Sequence, residues 1–77
     1  MDVEFDRIKS GEKSRIILSL SRVIEVQEGE ELDNEYKLQS GVMVVTDYGS
    51  TYFLLINFDE FIELYERMMR TKIVNAR

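Results

Sequence analysis

The amino-acid sequence predicts an α+β domain: an antiparallel sheet of four to five strands with one C-terminal amphipathic helix packed on it. Three observations lead there. Apolar and polar residues alternate through much of the chain before Asn57, the period of half-buried strands. The turn segment Asp47-Tyr48-Gly49-Ser50 separates two apolar runs and reads as a hairpin. From Asn57 onward the apolar residues recur at helical spacing instead.

The elements follow in order. Val3 and Phe5 fall on one side of the first segment and Asp2, Glu4 and Asp6 on the other, which predicts a strand over 2–8. Lys9-Ser10-Gly11-Glu12 is a turn by composition. Ser14 to Ser21 alternates β-branched residues with serines and reads as a second strand, with a bend near Arg22 before Val23, Ile24 and Val26. Glu28 to Glu35 is the most polar stretch and reads as a solvated loop. Tyr36 and Leu38 begin a short strand interrupted at Ser40-Gly41. Val42 to Thr46 and Thr51 to Ile56 form the hairpin, with Gly49-Ser50 at the centre of a type II′ turn. Asn57 is a good N-cap with Glu60 three residues on, and Phe58, Phe61, Ile62, Tyr65 and Met69 make the apolar stripe of a helix over 58–70. Glu63–Arg67 and Glu66–Arg70 stand at i,i+4 in the favourable order. The tail 71–77 lacks a cap and reads as frayed, so 1–77 is one compact domain.

With Gly49-Ser50 as the turn, Val44, Thr46, Phe53 and Leu55 share one face of the hairpin, and Met43, Val45, Tyr52, Leu54 and Ile56 the other. Neither face is polar, whereas a sheet with one wet side shows a polar face. The helix covers one. The N-terminal strands or a second copy must cover the other, and Met43, Val45, Tyr52 and Leu54 are the expected self-association residues of a homodimer.

Composition removes several function classes. The 77 residues include no His, Cys, Pro or Trp, so there is no thiolate nucleophile, zinc finger, disulfide framework or imidazole base. No Ser–Lys or paired-carboxylate spacing stands out, and no catalytic residue, cofactor or metal ligand is expected. No apolar run is long enough for a membrane helix and the acidic start is unlike a signal peptide, so the expected location is cytoplasmic. Ten basic against fifteen acidic side chains give a net charge of −5, which disfavours nonspecific binding to phosphates.

Two surfaces remain. Glu25 to Glu35 carries six carboxylates and no basic residue. It lacks the ligand pattern of a calcium loop, and the expectation is electrostatic docking of a basic protein surface through Glu28, Glu30, Glu31, Asp33 and Glu35, helped by the acidic side of the first strand. The alternative is a sheet-based single-strand nucleic-acid binder in which Arg7, Lys9, Lys13 and Arg15 cluster near Tyr36, Tyr48 and Tyr52. A structural subunit of a larger assembly is a third reading. The dull explanations are a solvated acidic loop and a polar turn; Met43, Met68 and Met69 fit ordinary core filling.

Val44-Val45-Thr46-Asp47-Tyr48-Gly49, Tyr52-Phe53-Leu54 and Phe58-Asp59-Glu60-Phe61-Ile62-Glu63 form a hairpin followed by an acidic-capped helix, preceded by Val23-Ile24-Glu25. This pattern resembles the FlbD type of small flagellum-associated protein over about Leu20–Glu25 and Val42–Glu66. The acidic stretch at 28–35 and the first strand depart from it. Its residues are those that form a fold, so the resemblance carries no site. Size and charge lead instead to a non-enzymatic acidic binding module, of the inhibitor or adaptor sort that phages and mobile elements encode.

Overall fold

The computed structural model describes residues 2–74. Strands β1 (Asp2–Lys9) and β2 (Glu12–Ser19) are followed by a single 3-10 turn (Leu20–Arg22), then β3 (Val23–Leu32), β4 (Leu38–Thr46), β5 (Thr51–Leu54) and the helix α1 (Phe58–Met69). The strands form one antiparallel sheet in the order β2-β1-β5-β4-β3, with α1 packed on one face. The fold is therefore α+β, as expected.

Local chemistry explains most boundaries. Ser10 and Gly11 both take positive φ, +52° and +81°, the pattern of a type I′ turn, whose twist matches the strands it joins. Asn57 Oδ1 accepts the amides of Asp59 and Glu60, at 2.9 and 3.3 Å, and so starts α1. The helix does have a C-cap, contrary to the expected bare end. Arg70 is left-handed, and its amide and that of Thr71 both reach the Glu66 carbonyl. The Glu66 carboxylate accepts the Ile73 amide at 2.7 Å, and among the described residues neither expected i,i+4 pair closes. Residues 75–77 of the expected frayed tail lie outside the described residues.

Three expectations are corrected. The stretch from Glu28 to Leu32 is strand, paired as far as Leu32–Leu38, rather than loop. Pairing along β4 overrides its polar composition. Tyr36 is not on a strand but at φ +60° in the turn, and β4 runs unbroken through Ser40-Gly41. The third correction changes which side chains share a face. Thr46, almost fully buried, accepts the Ser50 amide on its hydroxyl and donates that hydroxyl to the Ser50 carbonyl, both at 3.1 Å. The Asp47 amide meanwhile binds the Arg22 carbonyl at 2.8 Å. The loop closes as Asp47-Tyr48-Gly49 with Gly49 at φ +86°, and Val44 stands opposite Tyr52. An odd shift of register turns β5 over relative to β4. Val42, Val44, Tyr52 and Leu54 accordingly face α1, while Met43, Val45 and Phe53 face away.

The expected self-association face does not exist as one surface. Met43 and Val45 lie on one side and Tyr52 and Leu54 on the other, with Leu54 completely buried in the core under α1. That core is Phe5, Leu18, Leu20, Val23, Val42, Val44, Leu54 and Phe61. The centre of the second face is closed by the chain itself. Phe53 is only 4% exposed there, paired with Ile8 and seated over Gly29 and Gly41. A Cβ on Gly41 would sit 2.8 Å from the Phe53 ring and overlap the Leu54 carbonyl, so only glycine allows this approach. The tip of the β3–β4 arm reaches the β1–β2 turn, where a Cβ on Gly11 would touch the Asn34 backbone at 3.4 Å.

Candidate docking surface

The acidic residues are placed by two devices. The first is β3, an edge strand whose period of two sorts its side chains. Val26, Glu28 and Glu30 share the side of α1, because their partners Val44, Val42 and Ser40 do. Glu25, Gln27 and Glu31 point the other way. The second device is the start of α1, which carries Asp59 beside its N-cap. Between the two lies an open cleft of about 830 Å³, with Glu28, Glu30 and Asp59 among its lining residues and Ser40, Gln39 and Asn57 supplying neutral polar groups. Next to it an apolar groove of about 300 Å³ runs between β3 and α1, past Ile24, Val26, Ile62, Tyr65 and Ile73. Phe58 lines both, so the trough is apolar at one end and acidic at the other.

Among the described residues the ion pairs are Arg15–Glu4 at 3.8 Å and Arg22–Asp47 at 3.3 Å, so Glu28, Glu30, Glu31 and Asp59 have no cationic partner there. The described residues also contain no group of three or more acidic side chains placed to hold a metal ion.

Asp33 and Glu35 belong to a turn rather than to this surface. Asp33 is 6% exposed. Its Oδ1 accepts the amides of Glu35 and Lys37, at 2.8 and 3.0 Å, and its Oδ2 accepts Gln39 Nε2 at 2.9 Å. The Lys37 amide holds the Asp33 carboxyl below its ordinary pKa, against the opposing effect of burial and with help from the Glu35 amide and Gln39. The carboxylate is spent on closing the arm. An acidic residue followed by Asn is a turn signal that the sequence did carry.

The expected basic cluster is divided. Arg7 pairs with Leu54, and so Arg7 and Lys9 face the helix side; Lys13 and Arg15, opposite Ile8 and Asp6, face away. The Arg7 guanidinium lies over the Tyr52 ring, 5.0 Å from its centre, with its Nε buried and unpartnered. Tyr52 in turn is hydrogen bonded to Tyr48 at 3.2 Å. That bond, then one with Ser50, with the charges of Arg7 and Lys9 adding, lowers the Tyr52 pKa, while the same bond, then burial, raises that of Tyr48.

Two features escaped the sequence reading: Asp59 as part of an acidic cleft, and the apolar groove along Ile24 and Val26. Asp59 was legible only as a dipole partner of its own helix, since its neighbours Glu28 and Glu30 come from about thirty residues away. No described helix is long and apolar enough to cross a membrane. Comparison with family models, with curated proteins and with solved structures gives no match to this chain.

Proposed function

We propose that this chain is a non-enzymatic docking module, of the inhibitor or adaptor kind, that offers the acidic edge of β3 to a basic partner protein. The observation supporting this reading is that Glu28, Glu30 and Asp59 line one open cleft beside an apolar groove, with no cation among the described residues to neutralise them. Carboxylates held on a strand and a helix are pre-positioned, so a partner meets them without the ordering cost of a flexible loop. The groove supplies apolar area that charge alone lacks. Asp33 leaves the contact set because the turn uses its carboxylate. Glu35 gives the turn only its amide and keeps an exposed side chain at the arm tip, away from the cleft. The rival reading, single-strand nucleic-acid binding, keeps only Arg7 and Lys9 on one face, with Arg7 already against Tyr52.

The test is affinity capture from the native cell followed by binding kinetics on the captured protein. Reversing Glu28, Glu30 and Glu31 to Lys is expected to slow association on the order of tenfold or more, and added salt to slow the native pair alone. A captured partner indifferent to both changes would overturn the reading.

A further inference from the structure

The sheet ends in two open strands of opposite character. β3 carries Glu25, Glu28, Glu30 and Glu31 with no basic residue, whereas β2 carries Lys13 and Arg15 against the single Glu12, with the exposed Arg15 also 3.8 Å from Glu4 of its own chain. We propose that copies of this chain join edge to edge, β2 of one copy adding antiparallel to β3 of the next, in the register that sets Lys13 against Glu30, Arg15 against Glu28 and Ile17 against Val26. The proposal rests on the reading of β3 as the docking edge and names a second copy as an occupant.

Three independent features select this register. The first is the direction of the backbone groups. The Leu55 amide donates to the Asp6 carbonyl at 2.8 Å, so even-numbered residues of β1 address β5 and odd-numbered ones address β2. Their partners Glu12, Ser14 and Ile16 therefore turn inward, and Lys13, Arg15 and Ile17 present their amides and carbonyls outward. At the other border the Asp33 amide donates to the Lys37 carbonyl at 3.0 Å, so Glu31, Gly29 and Gln27 address β4 while Glu30, Glu28 and Val26 point outward. The proposed register puts outward groups against outward groups three times over.

The second feature is the facing of side chains. Because four antiparallel steps separate them, β2 and β3 run in the same direction. An antiparallel contact between copies must then turn one of them over. That brings Lys13, Arg15 and Ile17, which face away from α1, onto the helix side of the first copy, where Val26, Glu28 and Glu30 lie. Ile17, 67% exposed, arrives at the groove lined by Ile24, Val26, Ile62 and Tyr65.

The third is charge. Pairing β3 with β3 sets glutamates against glutamates, and pairing β2 with β2 brings Lys13 and Arg15 together; each such contact is repulsive. Only the mixed contact is attractive. Its cost is Glu12 opposite Glu31 at the end of the ladder, on the other face, which limits the pairing to Lys13–Ile17 on one strand and Val26–Glu30 on the other. A pair joined this way keeps one free β2, on one copy, and one free β3, on the other, so growth continues beyond two.

Sedimentation velocity over a concentration series up to that used for NMR tests this with the full chain. The native protein is expected to form a series of species past the dimer. K13E/R15E and E28K/E30K, each checked for native amide dispersion, are each expected to weaken association at least about tenfold. Mixing the two variants restores complementary edges and with them the series. Ile17→Pro removes only an outward amide and an exposed side chain, so it is expected to keep the fold and lose assembly. A native chain that stays monomeric throughout, or variants that do not rescue each other on mixing, overturns the proposal. If E28K/E30K still loses a captured foreign partner in that case, the docking reading stands and the self-pairing alone has failed.

Discussion

β4 lives in two environments, and the difference explains how this small sheet is held. From Val42 to Thr46 it is flanked by β3 and β5 and covered by α1, and Val42 and Val44 are completely buried. From Leu38 to Gly41 it pairs with β3 alone, forming an arm that projects past β5. The upper half is fixed by apolar burial. The arm is fixed by two special residues, Gly41 beneath Phe53 and Asp33 at the tip. Packing is distributed over many side chains, whereas the arm depends on a few contacts that each have no substitute.

Four changes separate the two halves, from the largest effect downward. Phe61→Ala removes the largest fully buried side chain and its ring contact to Phe5, 5.7 Å between centres. It is expected to cost about 3–5 kcal/mol, enough to unfold much of a domain this size in thermal or denaturant melts. Gly41→Ala strikes the seat of the arm, since its Cβ would overlap the Leu54 carbonyl. Its expected cost is about 3 kcal/mol, with Phe53 becoming accessible to a fluorescence or NMR probe. Asn57→Ala removes the helix cap and should cost about 1 kcal/mol, seen as faster amide exchange of Asp59 and Glu60.

Asp33→Ala is the smallest in global stability and the most local. Its expected signature is faster exchange at Glu35 and Lys37 with the helix amides unchanged. The same site fixes a pH dependence. Its folded pKa lies below the ordinary 3.8, so its contribution is full above that value and is lost as pH falls through the folded pKa. Acid should therefore open the arm tip in the native protein and change little there in the Asp33→Ala variant. An arm that exchanges together with α1 in all four variants would abolish the distinction between the halves.

The same contrast governs what was legible beforehand. The helix, its cap, the β1–β2 turn and the bend near Arg22 rest on interactions within a few residues, and each was readable. The acidic stretch misled because Glu28, Glu30 and Glu31 have low strand preference alone; only their ladder to Val42, Ser40 and Gln39 makes them a strand. The hairpin was located correctly but in the wrong register. Gly49-Ser50 permits a two-residue turn, and the three-residue closure wins through the buried Thr46 hydroxyl and the distant Arg22 carbonyl. That one difference dispersed the expected dimer face, and strand pairing likewise split Arg7 and Lys9 from Lys13 and Arg15.

By itself the sequence determined the kind of most short segments, the chemistry that is absent and the excess of negative charge, because propensity, capping and composition act locally or in sum. The tertiary structure decided which strands lie at the borders, which side of the sheet each residue faces and which carboxylates stand free. Those depend on pairings between residues far apart in the chain, where a shift of a single position exchanges inside for outside.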